Sequence, residues 1–192
     1  MKYNLAILPI LALALFSGCK GNTPVAETAT TIPALLTSYQ PASEKAAKIQ
    51  WLTIEQAAAR MEKEPRKIVI DVYTDWCGWC RKMDKETFTD PKVVELVNKH
   101  YYAVKLNAEG KDPITLRGQT FKYKGEYRSH ELAVALLQGQ MSFPTTVYLD
   151  EKMNMLAPVP GYLNAKTFSK ILSYFGENHH QSMNFQEYEK KN

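Results

Sequence analysis

The sequence predicts an α/β fold, with a mixed central sheet and helices on both faces. Two patterns carry that expectation. Short β-branched and apolar runs alternate with segments of helical period, the order that builds a sheet covered by helices. The last two strand-like runs are separated only by a short turn at 150–154, so the sheet ends in a hairpin and mixes parallel with antiparallel pairing. Composition agrees: hydrophobic residues are 45% and charged residues 23% of the 192, as in ordinary globular chains. A polytopic membrane protein and a disordered chain are excluded. With 9 Gly and no sustained heptads, so is a fibre. At about 150 residues per domain, the length fits one domain plus extensions.

Residues 53–64 are predicted as the first helix. Thr53 and Gln56 have capping-box spacing, while Ile54, Ala57, Ala58 and Met61 share a face and Pro65 ends the run. Residues 67–73 read as a buried strand. A second helix starts at the cysteines of Cys77-Gly78-Trp79-Cys80 and runs past Met83. Asp90-Pro91 combines an N-cap with proline at the first helical position, and Val93, Val94, Leu96 and Val97 form the buried side of that helix. Residues 101–107 alternate as a strand. The stretch 109–128, with Gly110, Gly118 and Gly125, reads as a hairpin-like insert. A helix is expected over 130–138 and a strand over 145–149. Residues 156–162 form an edge strand, since Pro158 and Pro160 would spoil a central one. Asn164 caps a last helix that turns Phe168, Ile171, Leu172 and Phe175 inward. Gly176 suits its C-terminal end, and 179–192 are expected to be a polar, frayed tail.

Residues 1–18 read as a secretory signal peptide. Lys2 gives a basic start, 5–16 a short apolar core interrupted by Pro9, and Phe16-Ser17-Gly18-Cys19 the end. That core is shorter than the ~20 apolar residues of a membrane-spanning helix. The end resembles a bacterial lipoprotein signal, in which cleavage precedes a cysteine that is then lipidated; this assigns lipidation to Cys19. The alternative is an ordinary signal peptide with Cys19 as a spare thiol. Residues 19–48, rich in Thr, Ala and Pro, are expected to be a lipid-anchored flexible tether. Residues 49–178 form the folded domain, held at the periplasmic face of a bacterial membrane. The net charge of +4 comes from scattered basic residues, so no nucleic-acid partner is expected.

Three cysteines are too few for a disulfide scaffold. With Cys19 lipidated, Cys77 and Cys80 are the remaining thiols. Their motif follows a strand and opens a helix, where unpaired backbone N–H groups and the helix dipole favour an anion. Cys77 is therefore expected to be partly thiolate, the nucleophilic form, and the two-residue spacer brings Cys80 within disulfide reach. The competing readings are a static disulfide and half of a zinc site. No second Cys-x-x-Cys exists, and His100, His130, His179 and His180 complete no familiar zinc spacing, so no metal is expected. A bridge across so short a loop removes little unfolded-chain entropy, which argues against a purely structural role.

The surrounding residues extend this motif into a resemblance. Residues 69–83 look like the strand, active-site loop and helix of the thioredoxin superfamily. Asp71, six residues before Cys77, falls where that family carries a buried acid, and Trp76 falls on the aromatic residue before the first cysteine. Val104-Lys105-Leu106-Asn107 resembles the next strand, whose lysine lies near the acid. Ser142-Phe143-Pro144-Thr145 looks like the cis-proline loop, and Pro160-Gly161-Tyr162 is similar to the glycine turn before the last helix.

This resemblance, over 49–178, implies a thioredoxin fold with the insert 109–128 before the cis-proline loop. It also implies a thiol:disulfide oxidoreductase without a cofactor. Cys77 and Cys80 would form the redox disulfide, Cys77 attacking the substrate and Cys80 resolving the mixed disulfide. Asp71, its pKa raised by desolvation, would accept the Cys80 proton, with Lys105 moderating that shift. Trp76, Trp79, Phe143 and Pro144 would bind substrate. Gly-Trp between the cysteines departs from the Gly-Pro of cytosolic thioredoxin and looks more like exported members. The expected partners are protein disulfides and an upstream membrane thiol reductase, and the chain is expected to be a monomer. Reduction of protein disulfides is the favoured activity. An oxidase or isomerase of the same fold, and a redox-idle peptide-binding or chaperone module, stay open.

Overall fold

The computed structural model describes residues 48–192, so the signal peptide, Cys19 and nearly all of the tether lie outside the described residues. Five strands form the central sheet: β1 (Trp51–Leu52), β2 (Lys67–Tyr73), β3 (Tyr101–Asn107), β8 (Thr145–Leu149) and β9 (Met155–Pro160), in the order β1-β3-β2-β8-β9. β3 runs parallel to β1 and β2, whereas β8 is antiparallel to both β2 and β9. The sheet is thus mixed. β9 lies at its edge, where Pro158 and Pro160 remove no central ladder donor. The sequence pattern missed β1, whose two residues are too few to show a period.

The helices α1 (Ile54–Met61) and α4 (Glu131–Leu136) lie on one face; α3 (Pro91–His100) and α5 (Ala165–Gly176) lie on the other. Strand alternation sorts the core between them. Ile68, Ile70 and Val72 of β2 join Tyr102, Val104 and Leu106 of β3 in the core under α1 and α4. Val69, Tyr101 and Ala103 join the core under α3 and α5. The start of α1 is the expected capping box: Gln56 N–H donates to Thr53 Oγ1 at 3.2 Å, and Thr53 N–H donates to Gln56 Oε1 at 3.0 Å. Asp90 caps α3 through the N–H groups of Lys92 and Val93.

The hairpin expected in the insert is present twice, and two other expectations are corrected. β4 (Ile114–Leu116) pairs with β5 (Gln119–Phe121), and β6 (Tyr123–Lys124) with β7 (Ser129–His130), just past the expected end of the insert. Gly176 does not supply a left-handed cap; Asn178 does, at φ 64°. A Cβ on Gly176 would instead lie 3.0 Å from Cβ and Cγ of His100, so this glycine lets α5 approach the end of α3. Finally, the expected frayed tail is folded. A 3₁₀ turn (His179–Gln181) leads into α6 (Phe185–Lys191), whose Tyr188 is buried against Tyr174. Among the described residues, no helix is long and apolar enough to cross a membrane.

Candidate active site

β2 delivers the chain to a loop that ends at α2 (Gly78–Lys82), and a π-helical turn (Met83–Thr87) continues that helix. Cys77 is the N-cap residue of α2. Its Sγ accepts the Cys80 N–H at 3.1 Å, which satisfies one of the free donors at the helix start. Cys77 and Cys80 are joined as a disulfide and are 4% and 2% exposed.

Three side chains hold the loop before the disulfide. Arg81 Nη1 donates to the Asp75 carbonyl at 2.7 Å, and Asn107 Nδ2 donates to Asp75 Oδ2 at 3.0 Å. Trp76 Nε1 donates to Glu109 Oε1 at 3.1 Å. Asn107 and Glu109 were not expected in the site. They come from the end of β3 and the start of the insert, more than thirty positions along the chain from the loop they hold.

Asp71 and Lys105 occupy paired positions of adjacent parallel strands. The alternation that places Val69 and Ala103 under α3 and α5 aims both side chains to that same face. Lys105 Nζ donates to Asp71 Oδ2 at 2.8 Å and also to Asp84 Oδ1. The ammonium lies 5.0–5.3 Å from the ring centroids of Tyr73, Trp51 and Phe88, close enough for cation–π attraction. Asp71 is 1% exposed, and among the described residues its Oδ1 has no hydrogen-bond partner. Burial pushes its pKa above the ordinary carboxylate value; Lys105 opposes that shift, and the Asp84 charge adds to it. Burial acts against the Lys105 charge, but Asp71 and Asp84 together hold its pKa above the usual lysine value. Asp84 also escaped the sequence reading. Its only sequence mark is its place four residues after Cys80, one helical turn on.

The Phe143–Pro144 peptide is cis, as expected. Pro144 C=O accepts the Gly161 N–H at 2.8 Å, which ties the proline loop to the glycine turn. Phe143 meets Trp76 edge-on, with centroids 6.1 Å apart, so the proline loop adjoins the loop before the disulfide. Trp76 is 64% and Trp79 57% exposed, and Trp79 leans on Tyr162 with centroids at 5.2 Å. The predicted residues therefore gather around the buried Cys77–Cys80 disulfide and the buried Pro144: the exposed Trp76 and Trp79 with the half-buried Phe143 form an apolar rim, and the buried Asp71 pairs with the half-buried Lys105.

The insert packs Ile114, Leu116 and Phe121 against the core under α1 and α4. Between it and the start of α1 lies a cleft of about 300 Å³, lined in part by Lys105, Asn107, Asp112 and His130. The buried His130 caps α4, its Nδ1 accepting the Leu132 N–H at 3.2 Å. Among the described residues, no three His, Cys, Asp or Glu side chains are grouped to hold a metal.

Residues 54–176 match the thioredoxin-like domain family. The chain is similar to the thiol:disulfide interchange protein DsbD of Pectobacterium atrosepticum, at 26% identity over 117 residues, and of Citrobacter koseri, at 28% over 123. These alignments cover 60% and 62% of this chain but only 17% and 18% of those proteins. The chain thus matches less than a fifth of the length of these relatives. Two solved structures share its fold. DsbH oxidoreductase superposes with a TM-score of 0.52 at 18% identity, covering 74% of this chain and 92% of that one. A thioredoxin-fold protein from Helicobacter pylori gives 0.50 at 16% identity, covering 71% and 92%.

Proposed function

The chain belongs to the thioredoxin-like domain family, and on that premise we propose that it is an exported thiol:disulfide oxidoreductase that reduces protein disulfides. The observation that carries this reading is the Cys77–Cys80 disulfide at the start of α2, rimmed by exposed tryptophans. In the reduced protein, the Cys77 thiolate attacks one sulfur of a substrate disulfide. That S–S bond breaks, a Cys77–substrate disulfide forms, and the other substrate sulfur leaves as a thiolate that takes up a proton. Cys80 then loses its proton to Asp71, and its thiolate attacks Cys77 Sγ. The Cys77–Cys80 disulfide forms and the second substrate thiol is released. Two electrons have passed from the protein dithiol to the substrate. The desolvated Asp71, whose Oδ1 has no hydrogen-bond partner among the described residues, suits the acceptor role, and Lys105 stabilises its charged form.

Within the same proposal, residues 1–18 direct export, Cys19 carries lipid, and residues 19–48 tether a monomeric domain at the periplasmic face of a membrane. An upstream membrane thiol reductase recharges the disulfide. That the DsbD relatives are thiol:disulfide interchange proteins supports an exchange partner for this disulfide.

The test is the reduction potential of the Cys77–Cys80 pair, read as free thiols after equilibration in dithiothreitol or glutathione buffers. A value near the thioredoxin range of about −270 mV is expected. One of roughly −120 to −180 mV would assign an oxidase or isomerase instead. Absence of a reversible two-electron transition would leave a peptide-binding module.

A further inference from the structure

Trp79, between the two cysteines, is more than half exposed but is held by two neighbours, Tyr162 and Lys82. Its ring leans on Tyr162, with centroids 5.2 Å apart. Lys82 Nζ lies 5.2 Å from both ring centroids. Glu86 ties these parts together: it accepts from Tyr162 Oη at 3.0 Å and lies 3.9 Å from Lys82 Nζ. Tyr162 is itself rooted. It packs against the core under α3 and α5, and the next residue, Leu163, accepts a 2.7 Å hydrogen bond from the buried Thr87 hydroxyl at the end of the π-helical turn.

An exposed indole that is free to rotate loses conformational entropy when a ligand immobilises it, weakening binding by roughly two- to tenfold. One held in place before binding escapes that loss. Lys82 and Glu86 offset each other's charge, so the support of the ring adds no net charge to the aromatic surface. We propose that Tyr162, supported by Lys82 and Glu86, is a positioning residue that fixes Trp79 as a docking step for an aromatic or long aliphatic side chain next to the substrate cysteine. The substrate class is a polypeptide disulfide with an apolar flank. This inference rests on the oxidoreductase reading and names its specificity.

The test uses the full chain, reduced with dithiothreitol and freed of it. It is mixed in single turnover with two disulfide-linked peptides that differ only in Phe or Gly beside the cysteine. The unmodified protein should half-saturate at a lower concentration of the Phe peptide. Tyr162→Ala should raise that half-saturation roughly two- to tenfold, keep the limiting rate and erase the preference for Phe over Gly. Tyr162→Phe, which keeps the ring, should retain most of the preference, and added salt should not weaken it. An undiminished preference in Tyr162→Ala, an equal loss of limiting rate with both peptides, or a salt-sensitive preference would overturn the proposal. A second arm measures calorimetric binding of the Phe peptide with S-methylated cysteines, which needs no redox chemistry. If neither peptide is reduced, the oxidoreductase reading falls. Weaker binding by Tyr162→Ala would then still support the docking step, and equal binding would end it.

Discussion

Asp71 and Lys105 meet because strand parity and parallel register leave them no other arrangement, and Asp84 reaches the same ammonium from the helical side. Replacing Asp71 with Asn removes the acceptor for the Cys80 proton. We expect the resolving step to slow roughly 10²-fold, seen in stopped flow as an accumulating mixed disulfide. The same variant tests the burial of this acid. The pKa of Asp71 is raised in the folded state, so the native protein binds that proton more tightly than the unfolded chain does. Its contribution to stability is complete below the unfolded value and is lost as pH rises through the folded one. Relative to the unmodified protein, Asp71→Asn should therefore gain in Tm between pH 4 and pH 8; a constant difference would contradict the raised pKa. The neighbours should act in opposite directions. Asp84→Asn removes a negative charge that raises the Asp71 pKa, so the alkaline rise of the resolving rate moves to lower pH. Lys105→Met removes the opposing cation and moves it to higher pH. Shifts of the same sign in the two variants would break this account.

At the scale of elements, α1, α3 and α5 begin where their capping residues stand, because a cap acts within three residues of itself. The far end of α5 follows a different rule. Gly176 sits inside the helix and is needed for what lies across from it, His100 and the Tyr101 hydroxyl at 3.0–3.1 Å from a would-be Cβ. Gly176→Ala adds up to about 1 kcal/mol of helix propensity but overpacks a tight contact, which costs about 1–3 kcal/mol. Urea unfolding should show a net loss of stability, and a gain would mean that His100 yields freely. The insert resisted reading for a related reason. Strands of two and three residues are too short to show a period, and the apolar residues that anchor β4 and β5 are matched by a core built from elements before and after them.

For the whole molecule, the fold extends beyond α5. Tyr188 of α6 is 5% exposed and packs on Tyr174 together with Phe185. Tyr188→Ala should cost about 3 kcal/mol of unfolding free energy while leaving the reduction potential unchanged, since α6 supplies no residue to the disulfide rim. An unchanged denaturation midpoint would return 179–192 to the frayed tail that its polar composition suggests. What the sequence by itself determined is what neighbours within a few residues can encode. That covers the helix caps, the strand runs, the Cys77-Gly78-Trp79-Cys80 turn into a helix and the edge placement of a proline-bearing strand. What only the tertiary structure decided are the contacts between separate elements: Asp84 on Lys105, Glu109 on Trp76, Tyr162 under Trp79 and Tyr188 on Tyr174. The physical reason is that a local pattern records which face of an element is apolar, whereas the partner of an exposed polar or aromatic side chain depends on where the sheet and its helices bring distant segments together.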